Sequence, residues 1–227
     1  MASQALRQFI EQVERENPSD VVRIQKGVSR FFEATAIALE LERQGRNPIL
    51  IFEDIEGSNI PVVMGIYGTR QRFAQALGVP EEKLTEEWLH RGEHPIKPSL
   101  ISKAPIKEVV SVGDDVDLAS LPVLTHFQQD GGPYITAGIL VAKDPDTGVV
   151  NASFHRLQVK GRDRFGVSLH SRRHLWDYQR RAEEGGQPLE VAIVIGAHPL
   201  SLSEEDYGKG LLTWTNTRWS GVSWEVL

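Results

Sequence analysis

Leu6, Phe9, Ile10 and Val13 recur at the i, i+3, i+4, i+7 spacing of an amphipathic helix, which predicts a helix over 5–16 that stops before Asn17-Pro18. Ala34, Ile37, Ala38 and Leu41 repeat that spacing over 31–44, where Gly45 and Pro48 supply the stop. The unbroken apolar run Ile49-Leu-Ile-Phe52 predicts a buried strand, and 60–67 a second one with Pro61 near its start. Residues 69–77 and 80–88 read as two further helices, the latter opened by a proline and carrying acids in its first turn. Together these predict a small N-terminal α/β unit.

Residues 89–105 contain Gly92, Pro95, Pro98 and Pro105, a linker composition. Short β-type runs follow at 107–112, 116–118 and 121–124, broken by Gly113-Asp-Asp and Pro122. The clearest pairing signal is a hairpin of 134–142 with 149–159 joined through Asp144-Pro-Asp-Thr-Gly148. A turn at 160–164, a strand over 165–169, a helix over 174–184 and an apolar run over 189–195 come next. The predicted class is α+β, organised as an N-terminal unit with its linker (1–105), a mainly β unit (106–200) and a tail (201–227). Alternation along the second hairpin strand puts Asn151, Ser153 and His155 on one face and Ala152, Phe154 and Arg156 on the other. An amide, a hydroxyl and an imidazole on one face suggest a ligand site, with a solvated strand beside a turn as the plainer reading.

Composition narrows the function. With 227 residues, 40% of them hydrophobic and 25% charged, the chain can bury a sizeable core. The absence of cysteine excludes disulfides, thiolate metal sites and cysteine nucleophiles, so any metal must be held by nitrogen and oxygen. A formal charge of −6 argues against nucleic acid as a partner. With no membrane-length apolar run and no leader-type stretch in the first residues, the sequence predicts a cytoplasmic protein without a membrane span.

Three blocks resemble the UbiD family of reversible decarboxylases: Asp130-Gly-Gly-Pro-Tyr-Ile-Thr-Ala-Gly138, Lys143-Asp-Pro-Asp-Thr-Gly148, and Asn151 followed by Arg156 in His-Arg-Leu-Gln-Val. The resemblance can be followed over 5–200 and implies a carboxy-lyase acting on an aromatic or α,β-unsaturated carboxylic acid. It implies prenylated FMN, a divalent metal such as Mn2+ and potassium (K+) as cofactors. It also implies that the second unit is part of a split β-barrel of the flavin reductase-like type.

Carried over residue by residue, the resemblance makes Asn151 and His174 metal ligands. Arg156 becomes the catalytic residue that orients the substrate carboxylate through its bidentate fork. It assigns Asn151, Ser153, Phe154, His155, Arg156, Arg173 and His174 to the cofactor. Many family members place the histidine slightly earlier, where an ungapped reading puts Arg172, and His170 is the alternative ligand. The family pattern also continues beyond this chain with a glutamate ligand and catalytic glutamates. The acidic run 203–207 reads as a charged loop, and the tail carries Trp214, Trp219 and Trp224 in a context unlike the family. The expectation is a truncated or split enzyme that forms a homo-oligomer or takes a second subunit. A noncatalytic flavin-phosphate-binding or assembly subunit is the alternative.

Overall fold

A computed structural model of the chain describes residues 5–94 and 105–200. The first sheet grows around β2 (Ile49–Phe52), whose four residues are all buried. It pairs in parallel with β1 (Val21–Ile24) and antiparallel with β3 (Val62–Met64). A strand covered on both faces must be apolar at every position, which is why this run shows no alternation. Ile49 and Ile51 face α1 (Leu6–Glu16) through Phe9, Ile10 and Val13. Leu50 and Phe52 face the other way, where Ala34, Ile37, Ala38 and Leu41 of α2 (Glu33–Arg43) cover them. α3 (Arg70–Leu77) is capped by the Thr69 hydroxyl, which accepts from the Arg72 amide at 3.4 Å, and ends on Gly78 in the left-handed region. α4 (Leu84–Glu93) follows a single 3-10 turn.

The second sheet is antiparallel and open, in the order β6 (Phe165–Val167), β5 (Val150–Val159), β4 (Tyr134–Lys143), β7 (Val191–Val194). The β4–β5 turn is built by Asp144, whose Oδ1 accepts from the amides of Asp146 at 2.9 Å and Thr147 at 3.0 Å. Gly148, at φ +72°, takes the left-handed position that turn requires. α5 (His174–Glu184) lies on one face of the sheet, where Leu175 and Tyr178 pack with Leu140, Ala142 and the fully buried Leu157. Ile139, Ala152 and Phe154 belong to a second cluster that includes Tyr67 of the N-terminal unit. The two units are also stitched by backbone bonds, Phe32 to Thr125 at 2.9 Å and Thr125 to Arg30 at 3.0 Å.

Several expectations are corrected. β1 has no counterpart among the predicted strands, because a four-residue run acquires strand character only from its parallel partner β2. The runs 107–112, 116–118 and 121–124 form no strand; they are 3-10 turns and extended chain with Val109, Val110 and Val112 exposed. The second helix starts at Glu33 and not at 31, since Phe31 is bridged to Thr125 and Phe32 sits at φ +65°. α4 runs on through Glu93 into the stretch read as linker, of which 95–104 lie outside the described residues. The tail 201–227, with Trp214, Trp219 and Trp224, also lies outside them.

Candidate functional site

β5 carries the site, and its alternation places the residues as period 2 requires. Asn151, Ser153 and His155 share the face of Leu157, which is the face that α5 covers, while Phe154 joins the opposite cluster with Ala152. α5 begins at His174, directly above the start of β5. The Asn151 Nδ2 amide lies 3.3 Å from His174 Nδ1, so two side chains distant in sequence meet through this packing. Farther along the strand, Ser153 Oγ lies 3.0 Å from His155 Nε2.

Around His155 and Arg156 the strand has an open edge. β6 pairs only with Leu157 to Val159, so among the described residues the backbone before Leu157 has no strand partner on that side. A cleft of about 200 Å³ occupies this edge. Phe154, His155 and Arg156 form its strand side, and Ser168, His170 and Arg173 form the opposite wall. Its position at an edge explains how residues from both faces of β5 line one cavity. Thr136 completes it, because the β4–β5 register slips between Ile135 and Gly138 and sets Thr136 and Ala137 against Arg156. A bulge beside a cavity re-aims side chains toward it. Gly138 allows the strands to close up again: a Cβ there would come within 2.9 Å of Leu157 Cδ1.

The electrostatics of the cleft are one-sided. Its lining includes Arg156, Arg173 and two histidines but no carboxylate, and among the described residues Arg156 and Arg173 form no ion pair. Burial pushes the His155 pKa below its usual value, a backbone hydrogen bond with Ser168 acts the other way, and the neighbouring Arg173 and His170 push it down again. His155 is therefore neutral at neutral pH, able to hold the Ser153 hydroxyl without adding to the positive charge. At the foot of this wall the first turn of α5 has no side-chain cap from Arg173. An uncapped helix start directs its amide hydrogens outward and favours an anion.

The predicted residues thus fall into two neighbouring groups. Phe154, His155, Arg156 and Arg173 line the cleft together with His170, the alternative ligand. Asn151 and His174 form the adjacent pair, and Ser153 stands behind the cleft as the partner of His155. Asn151, whose amide also carries an oxygen donor, and His174 suit a metal held by nitrogen and oxygen. The described residues contain no group of three or more histidine, aspartate or glutamate side chains placed to hold an ion, so these two side chains do not make a complete metal shell among them. Thr136 and Ser168 were missed as site residues. Thr136 lies within the Gly-Gly-Pro-Tyr-Ile-Thr block, but no local pattern announces the bulge that turns it to the cleft.

Comparisons with known proteins agree with this architecture. Residues 11–92 match the 3-octaprenyl-4-hydroxybenzoate carboxy-lyase N-terminal domain, and residues 99–203 match the 3-octaprenyl-4-hydroxybenzoate carboxy-lyase Rift-related domain. Anhydromevalonate phosphate decarboxylase of Methanothermobacter thermautotrophicus is 37% identical over 201 residues, covering 87% of this chain and 44% of that protein. An evolved dimeric form of the UbiD-class enzyme HmfF from Pelotomaculum thermopropionicum, solved with prFMN, superposes with a TM-score of 0.79 at 41% identity over 87% of this chain and 45% of that one. Vanillic acid decarboxylase of Sedimentibacter hydroxybenzoicus in its closed form superposes with a TM-score of 0.79 at 30% identity, covering 88% of this chain and 44% of that one. This chain spans less than half the length of each of these relatives. Among the described residues no helix is long and apolar enough to cross a membrane. With both domain patterns matched in order and the fold shared with UbiD-class enzymes, the chain belongs to the UbiD family.

Proposed function

We propose that this chain supplies the cofactor-anchoring part of a prenylated-FMN-dependent decarboxylase acting on an aromatic or α,β-unsaturated carboxylic acid. The observation that carries the reading is the cation-lined, carboxylate-free cleft at the open edge of β5, beside the Asn151–His174 pair. Arg173 and the uncapped start of α5 suit a phosphate, and Phe154 and His155 on the strand side of the cleft would contact the ring. Asn151 and His174 would hold a divalent ion such as Mn2+, with potassium as a further counter-ion to the phosphate. When bound, the prenylated flavin supplies the electron sink for loss of CO2.

The chain's own residues do the rest of the positioning. Arg156, exposed and unpaired among the described residues, offers two parallel N–H donors to the substrate carboxylate and orients it for cleavage. Neutral His155 fixes the Ser153 hydroxyl and keeps the cavity wall from gaining a third fixed charge. No carboxylic acid is among the residues that line the cleft, so a carboxylic acid acting as proton donor to the carbon would reach it from elsewhere, for example from a homo-oligomeric neighbour or a second subunit. A cysteine-free chain of this composition fits cytoplasmic chemistry.

The missing acid also favours a second reading, a noncatalytic subunit that binds flavin phosphate or assists assembly. One experiment separates the two. The chain is co-expressed with a prenylated-FMN synthase, and bound flavin and manganese are measured by mass spectrometry and metal analysis. Stoichiometric prenylated FMN with metal supports the enzyme reading. Flavin without metal, and without decarboxylation when the glutamate-bearing half of a relative is added, supports the noncatalytic one. A folded chain with neither ligand overturns the enzyme reading and the flavin-phosphate-binding one, and supports a role in assembly alone.

A further inference from the structure

We propose that Tyr178 and Arg181 are positioning residues that hold the His174 imidazole against Asn151, with Asp144 as their anchor on the β4–β5 hairpin. The proposal rests on the reading of Asn151 and His174 as metal donors and names what sets their geometry. His174, Tyr178 and Arg181 occupy positions i, i+4 and i+7 of α5 and therefore share one face. They form an unbroken series of contacts. The Arg181 guanidinium lies 5.4 Å from the centre of the Tyr178 ring, and that ring stacks on His174 at 6.3 Å with 11° between the planes. His174 Nδ1 then meets Asn151 Nδ2 at 3.3 Å.

The far end of the series is fixed more firmly than a surface ion pair. Arg181 donates through Nη2 to Asp144 Oδ2 at 2.8 Å and through Nη1 to Oδ1 at 3.1 Å. Its Nε donates to Asp177 at 2.9 Å, and Asp146 supplies a third carboxylate at Nη1. Asp144 is itself pinned, since two backbone amides of its own turn bond to its Oδ1. These bonds hold the Asp144 carboxyl well below the usual carboxylate range.

Two contacts between the same pair of elements do what one cannot. The hairpin meets α5 at Asn151–His174 and again at Asp144–Arg181, seven residues along in each element. On a helix that is about 10 Å of separation. A single contact would leave α5 free to pivot on the sheet, whereas two fix both its rotation and its axial position. Tyr178, 7% exposed, then fixes the plane of the imidazole. Lysine cannot reproduce the Arg181 grip, because one ammonium has no planar fork to serve several carboxylates at once.

The test uses the full 227-residue chain, isotope-labelled and metal-free, with nuclear magnetic resonance of the Asn151 side-chain amide and the His174 ring. Mn2+ binding is then followed by electron paramagnetic resonance. Tyr178→Leu and Arg181→Lys are expected to displace both resonances and to weaken Mn2+ binding at least tenfold. Tyr178→Phe, which keeps the ring, is expected to match the parent, and the signals of His90 on α4 and of His94 just after it to stay in place in all variants. Folded Tyr178→Leu and Arg181→Lys chains with the Asn151 and His174 signals unmoved, or with parental Mn2+ affinity, would overturn the proposal. If the signals move while the parent binds no Mn2+, the positioning role stands and the metal reading falls.

Discussion

Asn151 and His174, twenty-three residues apart in the chain, meet side chain to side chain at 3.3 Å, with the amide of one directed at Nδ1 of the other. Neither has a local reason to find the other: one is the second residue of β5 and the other opens α5. The contact exists because Leu175 and Tyr178 bury themselves on the sheet face of Leu157, which brings the first turn of α5 over the start of β5.

That relationship orders the two candidate histidines. His174→Ala is expected to lower manganese retained by the purified chain more than His170→Ala does, as read by elemental analysis. His170 lines the cleft instead of meeting Asn151, so the reverse order would transfer the ligand role to it.

Arg156→Ala is expected to abolish decarboxylation in the assembled enzyme while leaving bound flavin unchanged. The loss of a charge-assisted pair with the carboxylate amounts to roughly 1.5–3 kcal/mol, about ten- to a hundredfold in substrate affinity. Arg156→Lys restores charge but not the fork and should recover only part of it. Loss of flavin in the alanine variant would place Arg156 in cofactor binding instead.

The stability of the fold should fall as the medium is acidified below the ordinary histidine range. Burial depresses the pKa of His155, and of His126 and His198 likewise, beneath their usual 6.5. Between the depressed folded value and 6.5 the unfolded chain binds more protons, so stability is complete above that window and is lost as pH falls through it. Urea midpoints at pH 7, 6 and 5 measure the slope, and His155→Gln should flatten it. An identical slope in that variant would mean that His155 protonates without cost. The paired carboxylates such as Asp144 act in the same direction, but only below the usual aspartate value of 3.8.

Leu157→Ala is expected to cost about 2–5 kcal/mol in urea unfolding, because the side chain is fully buried between α5 and β4. The site should suffer with it, since Leu157 pairs with Ile135 where the bulge that sets Thr136 against Arg156 begins. A change below 1 kcal/mol would show that the sheet and α5 close over the gap.

Much of the fold was legible in local pattern. The periodicities of α1 and of the body of α2, the helical composition of α5, and the β4–β5 hairpin with its Asp-Pro-Asp-Thr-Gly turn agree with the elements found, since each depends on neighbours within a few residues. The shared face of Asn151, Ser153 and His155 was equally legible, because side-chain direction in a strand has a period of two. β1 was not, nor was the lack of pairing at 107–112, because whether an extended run becomes a strand depends on a partner far along the chain.

The amino-acid sequence by itself determined which side chains are available and which way each strand residue points. It also excluded thiolate chemistry, through the absence of cysteine. Only the tertiary structure decided that Asn151 meets His174, that Thr136 joins Arg156 across a bulge, and that β6 ends soon enough to leave a cleft at the edge of β5. The reason is physical. Periodicity acts over a turn of helix or a pair of strand residues, whereas register, bulges and helix docking are set by how buried surfaces from distant segments fit together.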